Sequence, residues 1–140
     1  MPAWSELWFL HPFRLPSEHA HGIQILQTCH ALACAGERVR LFVKRNPERP
    51  VTDTAEALGR YGLAPHPGLA LEWLPTGHKG LQGLWLRARI VSARGRPVFY
   101  VRQLRLAPLA ARRGPVVVEL HALERDTARA VAAARAVVTI

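Results

Sequence analysis

Short apolar runs alternate with stretches of helical period along the whole chain. Leu7-Trp8-Phe9-Leu10 has the length and composition of a buried strand. The residues from His11 to His21 are mostly polar, hold two prolines and three histidines, and predict a long loop. Gly22 then opens a helix whose face is Ile25, Cys29, Leu32 and Ala33, and Gly36 closes it where a left-handed backbone is needed. Val39 to Val43 predicts a second strand, followed by the charged loop Lys44 to Pro50. Asp53 and Glu56 have capping-box spacing for a short helix to Tyr61, stopped by Gly62. Leu69 to Leu74 predicts strand three, and His78-Lys79-Gly80 opens a helix reaching about Ala93. Val98 to Val101 is strand four, Leu104 to Arg113 a short helix, Val116 to Leu120 strand five, and Asp126 to Ala134 a helix. Ala136 to Ile140 is strand six.

Strands and helices alternating at this rhythm predict an α/β fold: a Rossmann-like, doubly wound parallel sheet of about six strands with helices on both faces. The nearly continuous apolar runs LWFL and PVVVEL suit strands covered on both sides. Ligands of such sheets gather at the carboxyl ends of the strands, where strand order reverses. That expectation brings together His11 to Gly22, Thr76 to Lys79, Arg102-Gln103 and His121.

Composition narrows the classes. A chain of 140 residues, 49% hydrophobic and 21% charged, is one folded domain. The net charge of +9, carried by 17 Arg and two Lys, favours anionic partners. The arginines are dispersed rather than clustered with aromatics, which argues against nucleic acid. Cys29 and Cys34 lie five apart on one helix, about 140° around it, so they cannot bridge and read as small buried residues of a reducing compartment. A basic n-region and a long apolar span are missing from the sequence, so the expected location is cytoplasmic.

The first strand-loop-helix unit has two readings. A helix opening at glycine can hold a phosphate on its free N–H groups and positive dipole end, with no Cβ in the way. It can equally be an ordinary βα unit with Gly22 as its N-cap. Neither nucleotide fingerprint is present: there is no G-x-G-x-x-G turn after strand one, and strand two runs into Lys44-Arg45 instead of an acid. The P-loop spacing is missing as well. His19 and His21 are two apart without a third ligand, so a zinc site is not expected.

HAHGIQILQTCHALACAGERVRLFV resembles the opening of the acceptor-side domain of family 4 retaining glycosyltransferases, which have the GT-B fold. PVFYVRQ is similar to that family's fourth strand, PVVVELH to its fifth, and AVVTI to its sixth. The similarity in order and spacing extends over essentially all 140 residues. The resemblance implies metal-independent transfer of a sugar from a nucleotide-sugar donor to a carbohydrate or lipid-linked acceptor, with no cofactor. It places His121 and Glu119 at the transfer centre, Gly22 and Arg102 against the donor diphosphate, and His11, His19 and His21 in the acceptor loop. The plainer alternatives are a hydrogen-bonded strand-end histidine for His121 and solvated loop histidines for the other three. The family's second domain, with its E-x7-E motif, has no counterpart; Glu48 and Glu56 match that spacing by chance within the first domain. The expectation is an amino-terminal domain lacking its carboxy-terminal, nucleotide-sugar-binding partner, inactive alone and prone to self-association. The competing reading is a stand-alone Rossmann-like module that binds a phosphorylated or sugar ligand without chemistry.

Lys79 to Arg94 is basic and amphipathic. The favoured expectation is a sheet-covering helix burying Leu81, Leu84 and Val91 with its arginines in water. The alternative is peripheral membrane contact, with Lys79, Arg87, Arg89 and Arg94 meeting anionic lipid and Trp85 at the interface.

Overall fold

The computed structural model describes residues 5–17, 19–51 and 53–139. Six strands, β1 (Leu7–Leu15), β2 (Val39–Arg45), β3 (Leu69–Trp73), β4 (Val98–Val101), β5 (Val116–Leu120) and β6 (Ala136–Thr139), form one sheet in the order β3-β2-β1-β4-β5-β6. All pairings are parallel. The helices are α1 (Ala20–Cys34), α2 (Thr54–Gly59), α3 (Lys79–Val91), α4 (Ala107–Ala111) and α5 (Thr127–Ala133), with a 3-10 turn over Leu104–Leu106. This is the doubly wound architecture, and strand order reverses between β1 and β4.

Period-two alternation divides the core between the two faces of the sheet. Trp8 and Leu10 point to one face, where Phe42, Phe99, Val101 and Val118 meet Leu86 and Ile90 of α3 and Ala107 and Ala110 of α4. Phe9, Phe13 and Leu15 point to the other, against Leu26, Cys29 and Ala33 of α1 and Ala57 and Leu58 of α2. Arg40 holds the edge of the first layer together by bonding Glu6 at 3.0 Å and Glu72 at 2.9 Å, and it lies over the Trp8 ring.

Capping chemistry places several helix ends. The Asp53 side chain accepts from the Glu56 N–H at 2.8 Å, and His78 Nδ1 accepts from the Leu81 N–H at 3.3 Å. Gly36 takes φ +102°, which a side chain would disfavour, just past the end of α1.

Four sequence expectations need correction. The first strand does not stop at Leu10 but runs to Leu15, so His11 lies in a strand and the loop before α1 is short. The first helix opens at Ala20 with His19 as N-cap, which puts Gly22 inside its first turn. On α3 the buried residues are Leu86 and Ile90, whereas Leu81, Leu84 and Val91 are 44%, 66% and 54% exposed. Cys29 is buried, and burial pushes its thiol pKa well up, but Cys34 is exposed. The expected end of strand six at Ile140 lies outside the described residues.

Candidate active site at the carboxyl edge of the sheet

A proline creates the irregularity on which the site is built. Pro12 has no N–H for the β1–β2 ladder, and there the register slips: Phe9 faces Leu41 but Phe13 faces Val43. Leu10, His11 and Pro12 therefore stand against Phe42 alone, a bulge of the kind that re-aims a side chain. On the other side β1 pairs with β4 only as far as Leu10↔Val101. His11 and Arg102, one residue past that last pair, thus come to the point where strand order reverses.

At the carboxyl ends of β1, β4 and β5 lies a cleft of about 510 Å³ lined by His11, Arg102, Gln103, Glu119 and His121, with Glu124 and Asp126 at its rim. Glu119 anchors it. Among the described residues it is the one charged side chain in the core, 8% exposed. Its Oε2 accepts from the Tyr100 hydroxyl and its Oε1 contacts His121 Nε2. Arg102 Nε stands 3.8 Å from Oε1. Burial pushes the Glu119 carboxyl pKa up, but the Tyr100 and His121 hydrogen bonds and the Arg102 charge together hold it below the usual range. Burial, reinforced by the Glu119 carboxylate, raises the Tyr100 pKa, so its hydroxyl stays a donor.

This wiring has chemical content. A His121 ring that donates from Nε2 to Glu119 has its other nitrogen, Nδ1, available as an acceptor. Arg102 brings a planar guanidinium suited to phosphate or paired hydroxyls.

His11 is the group without a protein partner. Both its ring nitrogens are buried and make no hydrogen bond. Burial, then the Arg102 and His21 charges, lower its pKa to about 4, so it is neutral at physiological pH. A buried imidazole without a protein hydrogen bond is a group that a ligand hydroxyl would satisfy.

From His11 a file of imidazoles leads to the start of α1. The His11 and His21 ring centroids are 5.8 Å apart, and those of His21 and His19 are 6.0 Å apart. His19 and His21 are exposed, and slight burial together with Arg102 lowers the His21 pKa. The His19 side chain, at the N-cap of α1, makes no capping bond.

Gly22 is placed by packing. It is buried, a Cβ there would lie 2.9 Å from Phe13 Cδ2, and its N–H donates to the His19 carbonyl at 3.1 Å. Its missing side chain makes room for Phe13 of β1, and the helix N–H groups ahead of it are those of Ala20 and His21.

Of the four stretches expected together, Arg102-Gln103 and His121 meet at the cleft with His11, the one residue of His11 to Gly22 found among its lining residues. The fourth, Thr76 to Lys79, lines a different cavity over β2 and β3. The sequence reading missed Tyr100. Its signal was period two, which puts Tyr100 and Arg102 on one side of their strand and Glu119 and His121 on one side of theirs. That the two sides meet depends on the pairing of Tyr100 with Val117.

Among the described residues no group of three or more His, Cys, Asp or Glu has an arrangement that could hold a metal ion, and no helix is long and apolar enough to cross a membrane. The chain matches no protein-family model, no curated protein and no solved structure.

Proposed function

We propose that this Rossmann-like domain is the acceptor-side half of a retaining glycosyltransferase, working with a second domain that grips a nucleotide-sugar donor. The observation that carries the reading is the Glu119–His121 pair beside Arg102 and His11, in a cleft where strand order reverses. In the proposed reaction the acceptor oxygen replaces the diphosphate oxygen at the anomeric carbon with configuration kept, and the acceptor proton ends on the released diphosphate.

Each residue has a role that its surroundings support. Glu119 is a positioning residue: fixed by Tyr100, it sets the His121 tautomer and ring orientation. His121 presents its free nitrogen to a sugar hydroxyl at the transfer centre. Arg102 and the positive dipole end of α1 offset the charge that builds on the departing diphosphate. The neutral, unpartnered His11 takes an acceptor hydroxyl, with His21 and His19 along the entry. Orientation by such groups is worth several kcal/mol of barrier in well-aligned reactions, about 7 or more in the best cases.

The test is to purify the native-length polypeptide from its source, measure its intact mass, and assay it against a panel of nucleoside diphosphate sugars. The expected results are a mass well above that of this domain, transfer to an acceptor, and a kcat about 100-fold lower for His121→Ala in a protein that stays folded by circular dichroism. No consumption of any donor, or full activity in His121→Ala, would overturn the reading.

A further inference from the structure

The second cavity at the carboxyl edge, about 790 Å³, shares no lining residue with the Glu119 cleft. Four cations reach its walls: Arg14 of β1, Lys44 and Arg45 of β2, and Lys79 at the start of α3. Among the described residues no carboxylate lines it. Among the described residues none of these four has an ion-pair partner, in contrast to Arg40, Arg60, Arg89 and Arg102, each of which is paired with a glutamate.

The walls are built to hold shape. The Arg45 guanidinium lies 4.9 Å over the Trp73 ring. Asn46 Nδ2 donates to the Pro16 carbonyl at 2.9 Å, and Gln82 Nε2 donates to the Pro75 carbonyl at 3.2 Å, tying the rim to neighbouring loops. Pro47, Pro50 and Pro75 stiffen those loops. Lys44 is half-buried, and burial together with Lys79 and Arg14 lowers its pKa. Like charges gathered in a concave site repel, and an anion seated among them removes that repulsion.

We propose that this cavity binds a phosphate monoester dianion, held by Arg14, Lys44, Arg45 and Lys79. Two guanidinium forks and two ammonium groups match a headgroup with three acceptor oxygens and a charge of about −1.5 to −2 near neutral pH. The phosphate has two physical sources. A soluble ester would enter alone. A lipid headgroup would bring its chains toward Leu81 and Leu84, which are exposed on α3 just beyond Lys79. The proposal stands apart from the transferase reading, since its readout involves no turnover and no residue of the Glu119 cleft.

The experiment titrates the chain calorimetrically with inorganic phosphate at constant ionic strength in chloride. In parallel, it measures co-sedimentation with phosphatidylcholine vesicles with and without phosphatidic acid. Saturable binding is expected in at least one arm. The Arg14→Gln/Lys44→Gln double variant, and separately Lys79→Gln at an exposed helix start, should weaken it about tenfold or more. Arg112→Gln/Arg135→Gln, which removes two charges from the opposite edge of the sheet, should leave it unchanged. Binding to phosphate identifies a soluble ligand, and binding only to phosphatidic acid vesicles identifies a lipid headgroup. No binding in either arm, or equal weakening by the opposite-edge variant, would overturn the proposal.

Discussion

The two cavities at the carboxyl edge use charge in opposite ways. In the Glu119 cleft a buried carboxylate is surrounded by Tyr100, His121 and Arg102, so donors and acceptor largely answer one another and the geometry is fixed from within. In the Lys44 cavity four cations face each other with no carboxylate among the described lining residues, and the fixing comes from Trp73 and from amides bonded to backbone. A balanced network orients groups for work on a neutral part of a ligand. An unbalanced one calls for an anion. One sheet edge thus offers two kinds of recognition, divided by the end of β1.

The sharpest way to break the contrast is to remove the carboxylate. Glu119→Ala takes the acceptor from Tyr100 and His121 and the counter-charge from Arg102, and should lower stability by about 2–3 kcal/mol in urea unfolding. The conservative Glu119→Gln should lose less, with phosphate binding intact in both. Gly22→Ala comes next. Its Cβ would crowd the Phe13 ring, which also walls the Lys44 cavity, so about 1–2 kcal/mol should be lost and phosphate binding disturbed.

Acidity separates the contributions further. The folded protein resists protonating His11 until pH falls to about 4, whereas the unfolded chain takes up that proton near 6.5. His11 therefore makes stability fall as pH drops from about 6.5 to about 4, and His11→Gln should flatten that part of a stability–pH curve. Glu119, with its pKa lowered, contributes in the opposite sense of charge: its stabilisation is present above 4.5 and is lost as pH falls below that value. Glu119→Gln should flatten only this lower limb. The smallest effect belongs to Lys44→Met, expected to gain a few tenths of a kcal/mol without phosphate by relieving repulsion. The same variant should lose the rise in Tm that phosphate gives the parent chain.

Much of the fold was legible because it follows from continuous apolar runs. Val98 to Val101 and Val116 to Leu120 read directly as strands, and their bounds agree with β4 and β5. The first strand was misjudged because Pro12 and the polar residues around it interrupt its run, although Phe13, Arg14 and Leu15 still alternate in, out, in. The outer face of α3 was misjudged because Leu81, Leu84 and Val91 share a helical stripe as good as the one that is buried, and periodicity does not say which stripe meets a sheet. For the site, Glu119 and His121 were visible as alternate residues at a strand end. Tyr100 and the Lys44 cluster were not, since both depend on which strands are neighbours and in what register.

The bulge on β1 carries a further consequence. Against β2, the two residues by which β1 exceeds its partner between Phe9 and Phe13 preserve parity. Phe9, Phe13 and Leu15 keep to one face, as if the extra pair were spliced into the strand in frame. An in-frame splice of this kind can be cut out or exchanged while the core beyond it keeps its facing, whereas a change of one residue would turn Phe13 and Leu15 outward. Excising His11 and Pro12 together should therefore yield a folded sheet in which His121 is the one lining imidazole left in the cleft.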